Sequence, residues 1–237
     1  MAFILNIETS NTACSVALSA DGMILKHRET LDGRNHAATL SDFIKDMLDF
    51  AKEKGFRLDA VAVSMGPGSY TGLRIGLSEA KGLAYGFDVP LIGISTLELM
   101  ATGVMFSGIE LTDETIFVPM LDARRMEVYT AAFDMGLKAL MPPAPLILDE
   151  DRHPYQELIK ADRPVLFFGN GMPKWRGMLG EAIPDNVTFI DGIEPLAVDM
   201  VALSEREFMK RNFCDIAYCT PLYLKEFQAT TPRNKVL

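Results

Sequence analysis

The chain has 237 residues, a formal net charge of −9 and 49% hydrophobic residues, enough for one large core or two smaller ones. The acid excess argues against an unaided grip on nucleic acid, because phosphate binding rests on Lys and Arg. The longest basic run is Arg124-Arg125. Cys14, Cys214 and Cys219 are an odd set without Cys-x-x-Cys spacing, which argues against a disulfide framework and a zinc ribbon. They read as buried free thiols in a reducing compartment. No basic region precedes the first apolar run, and Asn6 and Glu8 interrupt it. Neither a signal peptide nor a membrane span is expected, and the expected location is cytoplasmic.

Phe3 to Glu8 reads as a strand, and Cys14 to Ser19 alternates as a half-buried strand does. Asp21-Gly22 signals a hairpin into a third strand, Met23 to Arg28. An amphipathic helix follows over 36–54, with Leu40, Phe43, Ile44, Met47, Leu48 and Ala51 on one stripe and Gly55 at its end. Val61 to Met65 is a buried strand, and the helix after it includes Leu77 to Tyr85. Pro90 to Ile94 is a strand and Thr96 to Phe106 a helix. The pattern then restarts with strands from Ile116 to Leu121 and from Glu127 to Phe133. Pro142-Pro143-Ala144-Pro145 reads as a linker or rigid loop. Val165 to Phe168 is a short strand, a helix lies near Trp175, and Val198 to Lys210 is the last helix. Hairpin strands joined to parallel strands through helices predict an α/β fold with mixed sheets. The expected units are 1–105, completed by the 198–210 helix, then a reduced second unit over 115–197 and a tail over 225–237.

Between the Val61–Met65 strand and the helix lies Gly66-Pro67-Gly68-Ser69-Tyr70-Thr71-Gly72-Leu73-Arg74-Ile75-Gly76. Pro67 is expected to keep Gly66 extended. Glycine permits positive φ and close approach, and a helix start offers free N–H groups to an anion. The turn is therefore a phosphate cradle or a tight packing corner. Its spacing is neither a Walker P-loop nor a dinucleotide fingerprint. Arg74 either holds an anion or ties the helix to an acidic neighbour. Asp122, Arg124, Arg125 and Glu127 read as a surface ion-pair cluster. Gly72, Gly76 and Ala80 recur every four residues and make a face with almost no side chain, suited to close helix approach by a partner or to packing on its own sheet.

Ile7 to Leu18, His36, the glycine segment, Asp122 to Arg125 with Glu127-Val128-Tyr129, and Pro221-Leu222-Tyr223-Leu224-Lys225 together resemble the TsaB (YeaZ) family. The likeness is strongest over 4–130. It implies two actin-like ATPase (ribonuclease H-like) domains, the second reduced. It also implies a part in making N6-threonylcarbamoyladenosine in tRNA, as a non-catalytic partner that binds and activates the TsaD transferase. A TsaE-type ATPase joins through the complex, the free protein pairs with a second copy, and tRNA is met only via the complex.

In such a fold the first phosphate loop carries an Asp, any residue, then Gly. Here Glu8, Thr9 and Ser10 stand there without a glycine, so nucleotide binding is expected to be weak at most and no cofactor tightly held. The degenerate phosphate-loop or anion candidates are Glu8, Thr9, Ser10, Gly66, Gly68, Ser69, Thr71 and Arg74. TsaD-like relatives hold a metal with His-x-x-x-His on the first helix. Here His36 is followed four residues later by Leu40, and His27 and His153 lack ligand spacing, so no metal is expected. No Gly-x-Ser-x-Gly or His-Glu-x-x-His supports a peptidase. In the family the first two helices pair with TsaD, which marks His36, Leu40, Phe43, Met47, Gly72, Gly76 and Ala80 as the partner interface. The competing reading is an independent ATP-dependent phosphotransferase of the actin-like superfamily.

Overall fold

The computed structural model describes residues 2–33, 36–149 and 154–225. His153, the side chain of His36 and the tail beyond Lys225 lie outside the described residues. β1 (Phe3–Glu8), β2 (Cys14–Ala20) and β3 (Met23–Thr30) form an antiparallel meander. Asp21 and Gly22 both take positive φ, as the two-residue turn between β2 and β3 requires. α1 (His36–Lys54) crosses back to β4 (Ala60–Gly66), which runs parallel to β1, and α2 (Tyr70–Phe87) leads to β5 (Leu91–Ser95). The sheet order is β3-β2-β1-β4-β5.

The second sheet repeats that wiring. β6 (Ile116–Asp122) pairs antiparallel with β7 (Glu127–Phe133), which pairs with β8 (Ala139–Ile147). β9 (Val165–Phe168) runs parallel to β6, and β10 (Val187–Ile190) parallel to β9. The order β8-β7-β6-β9-β10 matches the first sheet strand for strand. Two such mixed five-stranded sheets make the two-domain actin-like fold.

Helices fill three layers. α1 and α2 cover the outer face of the first sheet through Leu40, Ile44, Met47, Leu77, Ala80 and Ala84. α3 (Thr96–Met105), a 3-10 turn over Ala197–Met200 and α6 (Val201–Met209) lie between the sheets, in one core with Ile4, Ile94, Phe117 and Phe168. α6 packs on β1 and β5, so the chain's late helix rests on its first sheet. α4 (Gln156–Lys160) and α5 (Met172–Leu179) cover the second sheet, where Tyr155, Phe167 and Trp175 pack edge to face or tilted.

Several expectations are corrected. The Pro142–Pro145 stretch is a strand, β8, and no linker. It lies at the sheet edge, where a missing N–H can face away from the ladder, and register shifts at Thr130–Phe133 absorb the irregularity. Gly66 has φ +107 and is not extended, and its bond to Pro67 is cis. A side chain there would meet the Leu222 carbonyl oxygen at 2.9 Å, so a glycine is required twice over. β10 and α4 have too few residues to show a period in the sequence. Among the described residues no helix is long and apolar enough to cross a membrane.

Candidate functional site

The end of β1 delivers Glu8, Thr9 and Ser10 into the first loop, and all three are buried. Glu8 Oε1 accepts from the Ser10 backbone N–H. Its Oε2 has no hydrogen-bond partner of good geometry among the described residues, nor do the Ser10 and Ser64 hydroxyls that flank it. Burial pushes the Glu8 carboxyl up to about 7, the serines draw it partly back, and the charge of Asp199 adds to the rise. Asp199 itself is pushed up to about 6, mainly by burial.

The loop then meets the glycine turn. The Ser69 N–H donates to the Ser10 carbonyl at 2.6 Å, and Thr9 Oγ1 donates to the Gly72 carbonyl at 2.8 Å. A Cβ on Gly68 would overlap the Ser10 carbonyl, one on Gly72 the Thr9 carbonyl, and one on Gly76 the Thr9 hydroxyl. Ser69 caps α2 through Gly72 N–H, and its own carbonyl accepts from Leu73 N–H. Of the two readings of this turn, the geometry is that of a packing corner, since several N–H groups an anion would need are already taken. Ser69 and Thr71 are exposed beside it, on a cleft of about 430 Å3 with Asn11, Thr12, Gly33 and Ile75.

Arg74 is tied to aromatic residues rather than to an acidic neighbour. Its guanidinium lies 4.0 Å from the Tyr70 ring centroid, and its Nε donates to the Tyr223 hydroxyl at 3.0 Å. Stacking on the rings replaces an acidic neighbour. Tyr223 belongs to a C-terminal strap. Leu222 N–H donates to the Met65 carbonyl at 2.7 Å, and Lys225 pairs with Glu127 of the second sheet. The expected cluster at Asp122 is rewired too. Asp122 pairs with Lys174 at 2.8 Å, while Arg124 and Arg125 adopt positive φ in the turn between β6 and β7.

A hydrogen-bonded chain crosses between the sheets at this level. Asn11 Nδ2 donates to Glu194 at 2.6 Å, Asn170 Nδ2 donates to Asn11 Oδ1 at 3.0 Å, and the Asp122 N–H donates to Asn170 Oδ1 at 2.8 Å. Asn11 and Glu194 are 183 residues apart, and no local pattern in the sequence could have joined them. Asn170 lies between Gly169 and Gly171, in the loop from β9 to α5.

A magnesium nucleotide does not fit these residues. The first loop turns its carbonyls onto the glycine turn, and its tip is tied across to Asn170 and to the Glu194 carboxylate. Glu8 is fully buried and holds a raised pKa. No step is derived through a nucleotide. Leu40 is fully buried in the core under α1, and His27 is exposed on β3. Among the described residues no cluster of three His, Cys, Asp or Glu side chains is placed to hold a metal.

The expected interface residues divide. Leu40, Met47, Gly72, Gly76 and Ala80 are buried within the chain, so the glycine face is corrected: it packs on the Thr9 loop and the first sheet. Phe43 is half-buried. The outward side of α2 carries Thr71, Ile75, Ser78, Gly82 and Gly86, and no described residue lies within 4 Å of a Cβ placed on Gly82 or Gly86. Ser41 of α1 reaches Glu79 of α2 at 3.4 Å, so the two helices present one surface.

A family model described as TsaD, tRNA N6-adenosine threonylcarbamoyltransferase, matches residues 30–150. The tRNA threonylcarbamoyladenosine biosynthesis protein TsaB of Escherichia coli (strain K12) is 30% identical over 227 residues, covering 94% of both chains. The protein of that name from Bacillus subtilis (strain 168) is 33% identical over 184 residues, 76% of each. The solved structure of YeaZ from Pseudomonas aeruginosa superposes with a TM-score of 0.76 at 26% identity, over 94% of this chain and 100% of that one. With the same fold along nearly its whole length and this degree of identity, the chain belongs to the TsaB (YeaZ) family of tRNA threonylcarbamoyladenosine biosynthesis proteins.

Proposed function

We propose that this chain is the non-catalytic partner subunit that binds and activates a TsaD-family threonylcarbamoyl transferase. Its family gives it a role in tRNA threonylcarbamoyladenosine biosynthesis. One observation carries the finer reading: the fold keeps an actin-like frame while its first loop is packed shut, with Thr9 and Ser10 seated on Gly68, Gly72 and Gly76. A chain so arranged supplies a surface rather than a reaction. The surface is the outward side of α1 and α2, with Phe43, Ile75 and the bare backbone at Gly82 and Gly86. A glycine inside a helix, as Gly82 is, costs about 1 kcal/mol against alanine, and no described residue packs against Gly82 or Gly86. A close-packed partner helix accounts for them.

On this reading the free chain pairs with a second copy through the same face. A TsaE-type ATPase joins through the complex, in the cytoplasm, and the acidic chain meets tRNA only through its partners. It holds no tightly bound cofactor. The test is reconstitution: threonylcarbamoyl transfer to tRNA by the TsaD-family subunit is measured with and without this chain. Transfer that requires the chain, together with co-elution of the two, is the expected result. Equal transfer without it, and separate elution, would overturn the reading. The competing phosphotransferase reading finds no support in the Glu8 loop.

A further inference from the structure

The turn between β6 and β7 is fixed at its base and bare at its tip. Asp122 Oδ1 accepts from the Arg124 N–H at 2.5 Å, and the Ala123 N–H donates to the Glu127 carbonyl at 3.1 Å. The Met126 carbonyl accepts from Leu148 N–H at 2.8 Å. Both carboxylates at the base are engaged from outside the turn, Asp122 by Lys174 at 2.8 Å and Glu127 by Lys225 of the strap. Arg124 and Arg125 at the tip are exposed, with φ +67 and +50. Glycine or asparagine takes that left-handed backbone more readily than arginine does. Neither guanidinium makes an ion pair, a hydrogen bond or a ring contact among the described residues. Backbone preference and internal packing therefore do not account for two arginines here. The tip also stands beside the partner face. The strap that carries Lys225 sets the Tyr223 hydroxyl on Arg74, near the start of α2 and one residue before Ile75. Arg74, Lys174 and Lys225 thus share an edge with the two arginines, in a chain whose net charge is −9.

We propose that the Arg124–Arg125 tip is a phosphate clamp for an RNA backbone, closing on a tRNA that the TsaD-family subunit has bound. A guanidinium presents a flat fork of N–H donors that matches phosphate oxygens, and it stays charged at any physiological pH. Two on adjacent residues, with the nearby carboxylates already engaged, suit phosphodiester groups. RNA is favoured over an acidic protein segment for two reasons. The family serves tRNA modification. Protein interfaces centre on apolar, charge-depleted patches, whereas this tip is two adjacent charges. Contacts to phosphate carry no sequence information, so the clamp grips and orients without selecting among tRNAs. Two phosphate contacts on an acidic chain are too few to hold RNA unaided. The clamp therefore acts only inside the complex, and the proposal rests on the partner role.

The wild-type chain and Arg124→Gln/Arg125→Gln are each mixed with the TsaD-family subunit, and the complexes are isolated by size exclusion. Their affinity for tRNA is then measured from about 50 to about 200 mM salt. The double variant is expected to co-elute with its partner as wild type does and to bind tRNA more weakly. Its slope of log affinity against log salt should be shallower by about one for each arginine, so that wild type loses about sixteenfold more affinity across that range. Arg124→Lys/Arg125→Lys should restore most of the slope. Arg57→Gln, at an exposed site ahead of β4 and at the far end of that strand from the glycine turn, should change nothing. Should the double variant not fold, Arg125→Gln alone carries the test at half the change in slope. A double-variant complex with wild-type affinity and slope would overturn the clamp and leave the partner role standing. Loss of co-elution in the double variant alone would assign the arginines to a protein contact and overturn the clamp too. Wild type that does not co-elute would remove the partner role and the clamp together.

Discussion

Thr9 and Gly72 are joined twice over: the Thr9 hydroxyl donates to the Gly72 carbonyl at 2.8 Å, and the Thr9 carbonyl fills the space a Gly72 side chain would need. Gly72→Ala must therefore push the first loop off α2. Overpacking costs about 1–3 kcal/mol, against about 1 kcal/mol regained in helix propensity. A net loss of up to about 2 kcal/mol is expected, a fall in Tm of up to roughly 8 °C. Gly82→Ala meets open space and should raise stability by about 0.5–1 kcal/mol. Thermal melts of the two variants should move in opposite directions.

The pair also shows what the sequence makes legible. The i, i+4 repeat of Gly72, Gly76 and Ala80 announced a face without side chains, but a period cannot say what fills the gap. Thr9 fills it from more than sixty positions away. The strands and long helices were readable because each buries an apolar pattern on one face. Pro142 to Pro145 misled because a proline's missing N–H is harmless on an edge, and edge position is a tertiary fact. Arg74 misled because its partners, Tyr70 and Tyr223, are uncharged. The Asn11, Asn170 and Glu194 bridge joins three distant loops and leaves no local mark.

Glu8 sets a pH dependence. Its folded pKa is raised from 4.5 to about 7, so between those values the folded chain keeps a proton that the unfolded chain has released. Its contribution is complete below the unfolded value and is lost as pH rises through about 7. The slope reaches about 1.4 kcal/mol per pH unit, for a total on the order of 3 kcal/mol. Asp199, raised to about 6, acts in the same sense. Denaturant unfolding from pH 5 to 8 should show wild-type stability falling relative to Glu8→Gln. A difference that stays flat with pH would contradict the buried, protonated carboxyl.

The Asn170 bridge ties the first loop to the second sheet. Asn170→Ala removes two side-chain hydrogen bonds, to Asn11 and to the Asp122 N–H, and should cost about 1–2 kcal/mol. It should not unmask ATP hydrolysis. Turnover within the usual enzyme range of roughly 1–1000 per second, lost again on Glu8→Gln, would favour the phosphotransferase reading.

The most direct test of the partner role is Gly82→Arg. The site is exposed and without neighbours among the described residues, so the variant should fold with a Tm at or above that of wild type. Mixed with the TsaD-family subunit, it should fail to co-elute, and its support of threonylcarbamoyl transfer should fall by roughly tenfold or more, a coupling of about 1.4 kcal/mol. A folded variant that binds and supports transfer as wild type does would contradict the assignment of this face.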